Sequence, residues 1–202
     1  MIIVGLTGGI ASGKTFVAKY LKKMKIPVHE SDAVVKDIYQ SSDKKFVNFL
    51  FKNGLENFLI KEKINRKAVR EFFFKDRDFK SKVESYLHKE VKKKTNIFLN
   101  INKKEMIVFL DIPLLFEKKL EKIFNFVCCS MAPLKIREKR ALQRKNMNKK
   151  IFRKIIKSQV SDTQRRARSN YLIKTHKTKT DTYLQVKNII YDILKSKKKG
   201  KK

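Results

Sequence analysis

Residues Gly8–Thr15 read Gly-Gly-Ile-Ala-Ser-Gly-Lys-Thr and fill every fixed position of the phosphate-binding loop pattern G-x-x-x-x-G-K-[ST]. The apolar run Ile2–Leu6 precedes this loop and a helical pattern begins near Lys14, so the loop joins a predicted strand to a predicted helix. The glycines allow backbone N–H groups to turn toward a polyphosphate, and the helix N-terminus adds its positive dipole end. A glycine-rich turn followed by a chance Lys-Thr is the alternative. The context favours a nucleotide-binding α/β protein.

The loop residues have distinct expected roles in nucleotide binding. Lys14 is expected to reach the terminal phosphates, and the Thr15 hydroxyl is expected to ligate Mg²⁺. The backbone of the loop would surround the rest of the polyphosphate. The predicted ATP-binding residues of this segment are Gly8, Gly9, Ile10, Ala11, Ser12, Gly13, Lys14, Thr15 and Phe16. ATP and Mg²⁺ are therefore the expected cofactors.

Strand and helix patterns alternate along the rest of the chain. Further strands are predicted at Val28–Glu30, Met106–Leu110, Asn125–Ser130 and Tyr171–Lys174, and further helices at about 133–145, 148–160 and 181–195. The region 36–103 reads as a mainly helical insertion. Alternation that starts from a phosphate loop argues for a parallel sheet with right-handed crossovers, covered by helices in a three-layer α/β fold. The lysine-rich end, 197–202, is expected to be a disordered tail.

The net charge of +32, from 51 basic and 19 acidic residues, has two interpretations. Lysine-rich surfaces attract nucleic acids without sequence preference. General overuse of lysine, as AT-rich coding would produce, explains the charge equally. Lysines are spread along nearly the whole chain rather than confined to one block, which favours the second interpretation. We expect no specific nucleic-acid partner.

The expected location is the cytoplasm. No apolar run approaches the roughly 18 residues that a membrane span requires, so no membrane partner is expected. The chain begins directly with a predicted strand and shows no signal peptide. Cys128 and Cys129 are adjacent, so in a strand they would point to opposite faces and are poor partners for a disulfide or a metal. Reduced thiols fit a reducing compartment.

A phosphate loop alone leaves the reaction class open. A GTPase would need Asn-Lys-x-Asp after a strand, whereas the similar segment Asn102–Glu105 precedes a predicted strand and ends in Glu. A motor or helicase would be larger. A short chain with a helical insertion favours a small-molecule kinase, acting on a nucleoside or another hydroxyl compound. An NTP-dependent nucleic-acid-binding protein is the alternative from a different class.

Two aspartates follow predicted strands, where open α/β sheets bind their ligands. Asp32 follows the second strand and could accept the proton of an attacking hydroxyl, or act only as the N-cap of the next helix. Asp111 ends the run Met106–Leu110 and could contribute to the Mg²⁺ site, or only form a turn before Pro113.

Basic side chains offer a further site. Arg137, Arg140 and Arg144 are spaced to share one face of a predicted helix, where their guanidinium groups could clamp phosphates during transfer. A solvated basic face is the alternative, and Arg140 with Arg144 is the favoured functional pair. His88 could contact a substrate, although a lone histidine on a helix more often lies on the surface or in packing.

Several segments together resemble the dephospho-CoA kinase family over most of the chain. The opening Val4–Thr15, with Leu-Thr-Gly-Gly-Ile, is close to the start of that family, and Asp32-Ala33 matches its catalytic aspartate. Asp111–Glu117 matches its Pro-Leu-Leu-Phe-Glu signature. Further matches are Asn65-Arg66-Lys67, Leu87-His88, the lid arginines at Arg140 and Arg144, and Gln159 with Arg165.

The chain departs from the family pattern at three places. Phe16 replaces a common threonine, although its backbone N–H could still serve the α-phosphate. Lys89 stands where the family has proline. Tyr171–Thr175 lacks the usual Asp-Asn ending of the last strand, which weakens expectations of adenine contacts there.

The resemblance implies ATP-dependent phosphorylation of the ribose 3′-hydroxyl of dephospho-CoA, which gives CoA. It implies Asp32, Lys14 and Arg140 as catalytic residues, Arg144 as an ATP contact, and acceptor contacts from Asp32, Arg66, His88 and Leu114. It also implies three parts: a nucleotide-binding core (1–35, 104–136 and 166–196), a helical acceptor domain (36–103) and a helical lid (137–165). Thr15 and Asp111 are the expected Mg²⁺ ligands.

Overall fold

The computed structural model describes residues 1–40, 44–53, 59–60, 63–65 and 76–199. The chain divides into two compact units, Met1–His29 with Asn102–Lys202, and Glu30–Ile101. The strands are β1 (Ile2–Gly8), β2 (Val28–Glu30), β3 (Leu59–Ile60), β4 (Lys63–Ile64), β5 (Ile107–Asp111), β6 (Phe126–Met131) and β7 (Tyr171–Lys174). The helices are α1 (Lys14–Lys23), α2 (Ser31–Gln40), α3 (Lys44–Lys52), α4 (Arg77–Ile101), α5 (Leu134–Leu142), α6 (Lys149–Ser158), α7 (Asp162–Ala167) and α8 (Lys179–Lys199), with a short 3₁₀ turn at Glu121–Ile123.

Five strands form one sheet in the order β2-β5-β1-β6-β7. Strand β1 pairs in parallel with β5 and β6, and β6 pairs in parallel with β7. The register places Leu6 opposite Asp111 and Gly8 opposite Ser130. The loop after β1 therefore begins between the carboxyl ends of β5 and β6, where parallel sheets bind ligands. The predicted α/β fold with a parallel sheet is confirmed.

The first unit has apolar clusters on two sides of its sheet. One cluster packs α1 and α8 against the strands through side chains that include Val17, Leu21 and Ile193. Cys128 belongs to this cluster, whereas Cys129 belongs to another with Leu115 and Phe116. The adjacent thiols therefore occupy opposite faces of β6, as successive residues of a strand must. Both are free and buried, and burial raises the pKa of each, that of Cys129 to about 11.

The second unit packs helices α2, α3 and α4 around its own core. Its buried residues are Ile38, Phe46, Leu50, Ile64, Phe79, Val83 and Leu87. The ring of Phe46 stacks on Phe49, with centroids 5.9 Å apart, and lies edge-on to Tyr39. A short antiparallel hairpin pairs Leu59 with Ile64, and the sequence patterns did not predict it. Residues 66–75, which belong to the predicted helical insertion, lie outside the described residues.

Helix ends differ from the predictions in two places. Helix α8 continues to Lys199, so the predicted disordered tail is wrong for 197–199, while 200–202 lie outside the described residues. Lysine has a high helix propensity, so its abundance does not prevent the helix from continuing. A separate helix, α7, begins after Ser161, whose hydroxyl accepts the Gln164 N–H in a capping box.

Along the described part of the chain, no helix has the length and apolar character needed to cross a membrane.

Candidate active site

The phosphate loop turns sharply at Gly13 before α1 begins. Gly13 has φ of 90°, a left-handed conformation that favours glycine. A Cβ atom at this position would lie 2.7 Å from Thr175 Oγ1, so there is no space for a side chain. The N–H groups of Lys14 and Thr15 follow at the start of α1, where no intrahelical acceptor exists. These donors and the helix dipole can serve an anion.

Lys14 and Asp111 come together at the carboxyl end of β5. The Lys14 Nζ donates to Asp111 Oδ1, and the two side chains are only 16% and 6% exposed. A lysine ammonium has three donors, so contact with Asp111 leaves capacity for a phosphate oxygen. Thr15, next along the chain, is exposed on the first turn of α1. The structure thus brings together two predicted residues, Lys14 and Asp111, that are far apart in sequence.

Buried hydroxyl groups attach the phosphate loop to the sheet. Ser12 Oγ and Ser130 Oγ are 2.7 Å apart, and Ser130 Oγ donates to the Thr7 carbonyl oxygen at 3.2 Å. Thr7 Oγ1 donates to the Pro113 carbonyl oxygen at 3.3 Å. Because Ser12 is only 1% exposed, its side chain supports the loop rather than facing solvent.

Two backbone donors of the loop are already occupied within the protein. The Ile10 N–H donates to Gln159 Oε1 at 3.0 Å, and the Ser12 N–H donates to the Gly9 carbonyl oxygen at 3.1 Å. At the start of α1, the Phe16 N–H is occupied as well and donates to the Gly13 carbonyl oxygen at 3.0 Å. The ring of Phe16 lies edge-on to Tyr20 at a centroid distance of 4.5 Å.

Arg140 is joined to the phosphate loop through Thr175. Its guanidinium donates to Thr175 Oγ1 at 3.1 Å and to the Thr175 carbonyl oxygen at 2.6 Å. The Thr175 hydroxyl in turn donates to the Ser12 carbonyl oxygen at 2.5 Å. Within the part of the chain that the structure describes, Arg140 forms no ion pair, so its charge is opposed only by neutral oxygens.

Arg144 does not share a helix face with the other two arginines, and that prediction is wrong. Helix α5 ends at Leu142, and the Arg144 N–H donates to the Ala141 carbonyl oxygen at 2.9 Å in a tighter turn. Two residues later Asn146 adopts φ of 63°, a left-handed conformation that asparagine tolerates and a helix does not contain. The side chain of Arg144 is exposed.

Arg137 and Arg165 form a buried network beside Gly9. They are 4% and 2% exposed, and both contact Asp162, at 3.2 and 3.3 Å. Arg165 also contacts Glu117 Oε1 at 3.1 Å. Burial lowers the pKa of Arg137, and the nearby Asp162 carboxylate opposes that effect. A Cβ atom at Gly9 would collide with the guanidinium of Arg137 and lie 3.0 Å from Nη1 of Arg165, which explains the glycine there.

The remaining predicted residues occupy other positions. Leu114 lies 42% exposed in the turn after β5. In the second unit, Asp32 is exposed in the first turn of α2, and His88 is exposed on α4. Asp32 is the second residue of the helix rather than its N-cap, so the capping alternative is wrong, although a carboxylate there still favours the helix dipole. Arg66 lies outside the described residues.

Sequence reasoning missed Thr175 and Ser130 as support for the loop. Neither residue belongs to a motif, and the segment that ends in Thr175 departs from the family pattern. Both lie where parallel strands β6 and β7 end, which is the signal that could have identified them. The sequence predicts Arg137 either in a phosphate clamp or on a solvated basic face, whereas the structure buries it and pairs it with Asp162.

Comparisons of the sequence with known proteins show which family the chain belongs to. The model of the dephospho-CoA kinase family matches residues 2–181. The chain is 36% identical to the dephospho-CoA kinase of Bartonella henselae over 199 residues, covering 97% of this chain and 100% of the relative. It is 30% identical to the dephospho-CoA kinase of Fusobacterium nucleatum, covering 92% and 95%.

The fold also has a counterpart among solved structures. The dephospho-CoA kinase from Campylobacter jejuni superposes with a TM-score of 0.70 at 23% identity, covering 96% of this chain and 98% of that one. The family resemblance predicted from the phosphate loop and the Pro113–Glu117 signature is confirmed. By its full-length sequence match and its fold, the chain belongs to the dephospho-CoA kinase family.

Proposed function

We propose that this chain transfers the γ-phosphoryl group of ATP to the ribose 3′-hydroxyl of dephospho-CoA, giving ADP and CoA. The position of Lys14 is the observation that supports the phosphoryl-transfer step. Lys14 lies at the start of α1, beside the N–H groups of the first helical turn, and its ammonium donates to Asp111. The acceptor is inferred from membership of the family, since its relatives are named for it.

ATP binding follows from the orientation of the loop. The N–H groups of Lys14 and Thr15 would donate to phosphate oxygens. The Phe16 N–H, which donates to the Gly13 carbonyl oxygen at 3.0 Å in this structure, is the proposed contact for the α-phosphate. The Lys14 ammonium would contact the terminal phosphates. Arg144, exposed after α5, is a further proposed contact for ATP.

The residues present fit Mg²⁺. Thr15 supplies a hydroxyl and Asp111 a carboxylate, and Mg²⁺ prefers such hard oxygen donors. Nucleotide-bound Mg²⁺ needs only one or two protein oxygens, because phosphates and water complete its coordination. When bound, Mg²⁺ supplies positive charge next to the β- and γ-phosphate oxygens. Thr15 and Asp111 are the residues that would hold it.

Asp32 and Arg140 have complementary roles in the proposed reaction. The Asp32 carboxylate would accept the proton of the 3′-hydroxyl as that oxygen attacks the γ-phosphorus, and the bond to the β-phosphate oxygen breaks. Arg140 would oppose the negative charge on the transferring group. Its support by Thr175, rather than by a carboxylate, leaves its positive charge available for this role.

The region 36–103, most of which belongs to the second unit, is the proposed acceptor domain. Arg66 and His88 in this region, together with Leu114 after β5, are the proposed contacts for dephospho-CoA. The helical segment 137–165 is the proposed lid, whose closure would exclude water that could otherwise hydrolyse ATP. The reaction is proposed to take place in the cytoplasm, since the free, buried thiols fit a reducing compartment.

The acceptor is tested by ADP release in a coupled assay with ATP and Mg²⁺. Dephospho-CoA should support turnover far better than adenosine or shikimate, since the proposed site recognises the whole acceptor. Mass spectrometry of the product should show one added phosphate on the ribose. Equal rates with the three acceptors, or ADP release without any of them, would contradict the proposal.

Replacing Arg140 with methionine is expected to lower kcat by roughly 10–100-fold, because a charged hydrogen-bonding group is removed from the transferring phosphate. Arg140→Lys should recover only part of kcat, since lysine cannot make the two-pronged contact with Thr175. Steady-state kinetics with dephospho-CoA measures both effects. Arg153→Met, an exposed arginine on α6, is the matched control and should behave as the unaltered chain. An Arg140→Met variant with normal kcat would remove this residue from the mechanism.

A further inference from the structure

An apolar contact joins the loop apex, residues 9–11, to the helices that follow β6. Ala11 is 6% exposed and clusters with Ala141 of α5 and Phe152 of α6, which are 0% and 2% exposed. Three partly buried side chains complete this cluster: Ile10, Met147 and Ile156. The loop apex is thus packed against a small apolar core as well as joined to the strand before it.

The backbone of Ala11 needs such support. Its φ of 56° is left-handed, a conformation that costs energy for any residue with a Cβ atom. Such conformations persist where the surrounding structure enforces them, and they cluster at ligand-binding sites. The apolar side chains that cluster with Ala11, Phe152 among them, are placed to provide this enforcement.

A polar contact acts on the preceding residue. Gln159 follows α6 directly, and its side-chain oxygen accepts the Ile10 N–H at 3.0 Å. This contact fixes the direction of a peptide group immediately before Ala11. Phe152 and Gln159 therefore hold the same short stretch of backbone, one through apolar packing and the other through a hydrogen bond.

From these contacts we infer that α6 positions the phosphate loop, with Phe152 and Gln159 as the positioning residues. They hold the loop apex in the conformation that binds a nucleoside triphosphate. The inference rests on the proposed function only for ATP binding and is independent of the acceptor. If only a fraction of the molecules has the loop in its binding conformation, the apparent Kd for ATP equals the intrinsic Kd divided by that fraction. Saturating ATP shifts all molecules to the binding conformation, so kcat is preserved. Loss of either residue should therefore raise KM for ATP and leave kcat nearly unchanged.

Phe152→Ala is the first test. We expect the Kd for ATP, measured by calorimetry without acceptor, and the KM for ATP to rise about 5–20-fold, with kcat within about twofold of normal. Ile193→Ala is the matched control, because it also empties a buried apolar position of the first unit, on α8 and outside the loop-apex cluster. It should lower Tm without changing Kd. An unchanged Kd in Phe152→Ala, or an equal change in Ile193→Ala, would overturn the inference.

The strain at Ala11 provides a sharper test. Glycine adopts left-handed backbone without penalty, so Ala11→Gly should restore ATP affinity in the Phe152→Ala background by roughly fivefold. In the unaltered chain the same change should alter ATP affinity less than it does in the Phe152→Ala background, because Phe152 already supports the conformation. Strictly additive effects of the two changes would show that Phe152 does not act through the Ala11 backbone.

Gln159 offers a test that leaves the apolar cluster intact. Gln159→Met keeps the length of the side chain but has no strong acceptor for the Ile10 N–H, and should raise Kd for ATP about 3–10-fold. Gln159→Glu keeps an acceptor oxygen for the Ile10 N–H but adds a negative charge beside the phosphates, so the two variants are compared at high ionic strength, where Gln159→Glu should bind ATP more tightly than Gln159→Met. Equal affinity in the two variants would contradict the positioning role. Because ATP binding is measured without dephospho-CoA, a wrong acceptor assignment would leave these results unaffected.

Discussion

A chain that carries methionine in place of Lys14 is expected to lose about 10²–10³-fold in kcat with dephospho-CoA as acceptor. Methionine has nearly the length of lysine but no charge, so the terminal phosphates lose the ammonium that opposes their charge during transfer. Lys19→Met, the same change at an exposed position of α1, is the control and should keep normal kcat. Full activity in Lys14→Met would refute the assignment of the phosphate loop itself.

The Lys14 change also affects stability, because Asp111 is then buried without its cation. Removing one partner of a buried ion pair typically costs about 3–5 kcal/mol. Because the Lys14 side chain is 16% exposed, solvent screening reduces the expected loss below that range, to about 2–3 kcal/mol. Denaturant unfolding of Lys14→Met measures this loss, and adding Asp111→Asn should recover part of it. Activity should stay low in the double variant, which separates the chemical role of Lys14 from its structural one.

Asp32→Asn is expected to lower kcat by roughly 10²–10⁴-fold while the Kd for ATP stays within about twofold. The amide keeps the shape of the side chain but cannot accept the proton of the attacking hydroxyl. ATP binding should not change, because the loop donors and Lys14 lie on β1 and α1 rather than on α2. Single-turnover kinetics with dephospho-CoA and calorimetry with ATP alone measure the two quantities.

The control for this change is Asp37→Asn, another exposed aspartate of α2. It should leave kcat near normal, which shows that removing one negative charge from α2 is not itself the cause. Near-normal turnover in Asp32→Asn would mean that Asp32 is not the base. A parallel loss of ATP affinity would instead indicate that Asp32 contributes to the nucleotide site.

Much of the fold could be predicted because its signals are local. The strands β1, β5 and β6 are short apolar runs buried on both faces, and such runs are distinctive in sequence. The phosphate loop is identified by four fixed positions and by its strand–helix context. The hairpin Leu59–Ile64 was missed because two-residue strands have no measurable periodicity. Helix α7 was missed although Ser161 and Gln164 have the spacing of a capping box.

The site was less predictable because its contacts join distant parts of the chain. Gly13 lies against Thr175, Lys14 donates to Asp111, and the Ile10 N–H donates to Gln159. No local sequence pattern predicts contacts between residues so far apart. Periodicity placed Arg144 on the helix of Arg140, since nothing in the composition after Leu142 is a strong helix breaker. The left-handed Asn146 ends that regularity, and asparagine marks such a turn only weakly.

The guanidinium groups of Arg137 and Arg165 lie against Gly9 and limit which substitutions residue 9 can accept. A mutation that gives residue 9 a side chain must displace Arg137 and Arg165, and their carboxylate partners would then be left without counter-charges. No single nucleotide change can accommodate all of these groups at once. Substitution at residue 9 is therefore constrained by two arginines that are distant from it in sequence, and we expect these three positions to tolerate change only together.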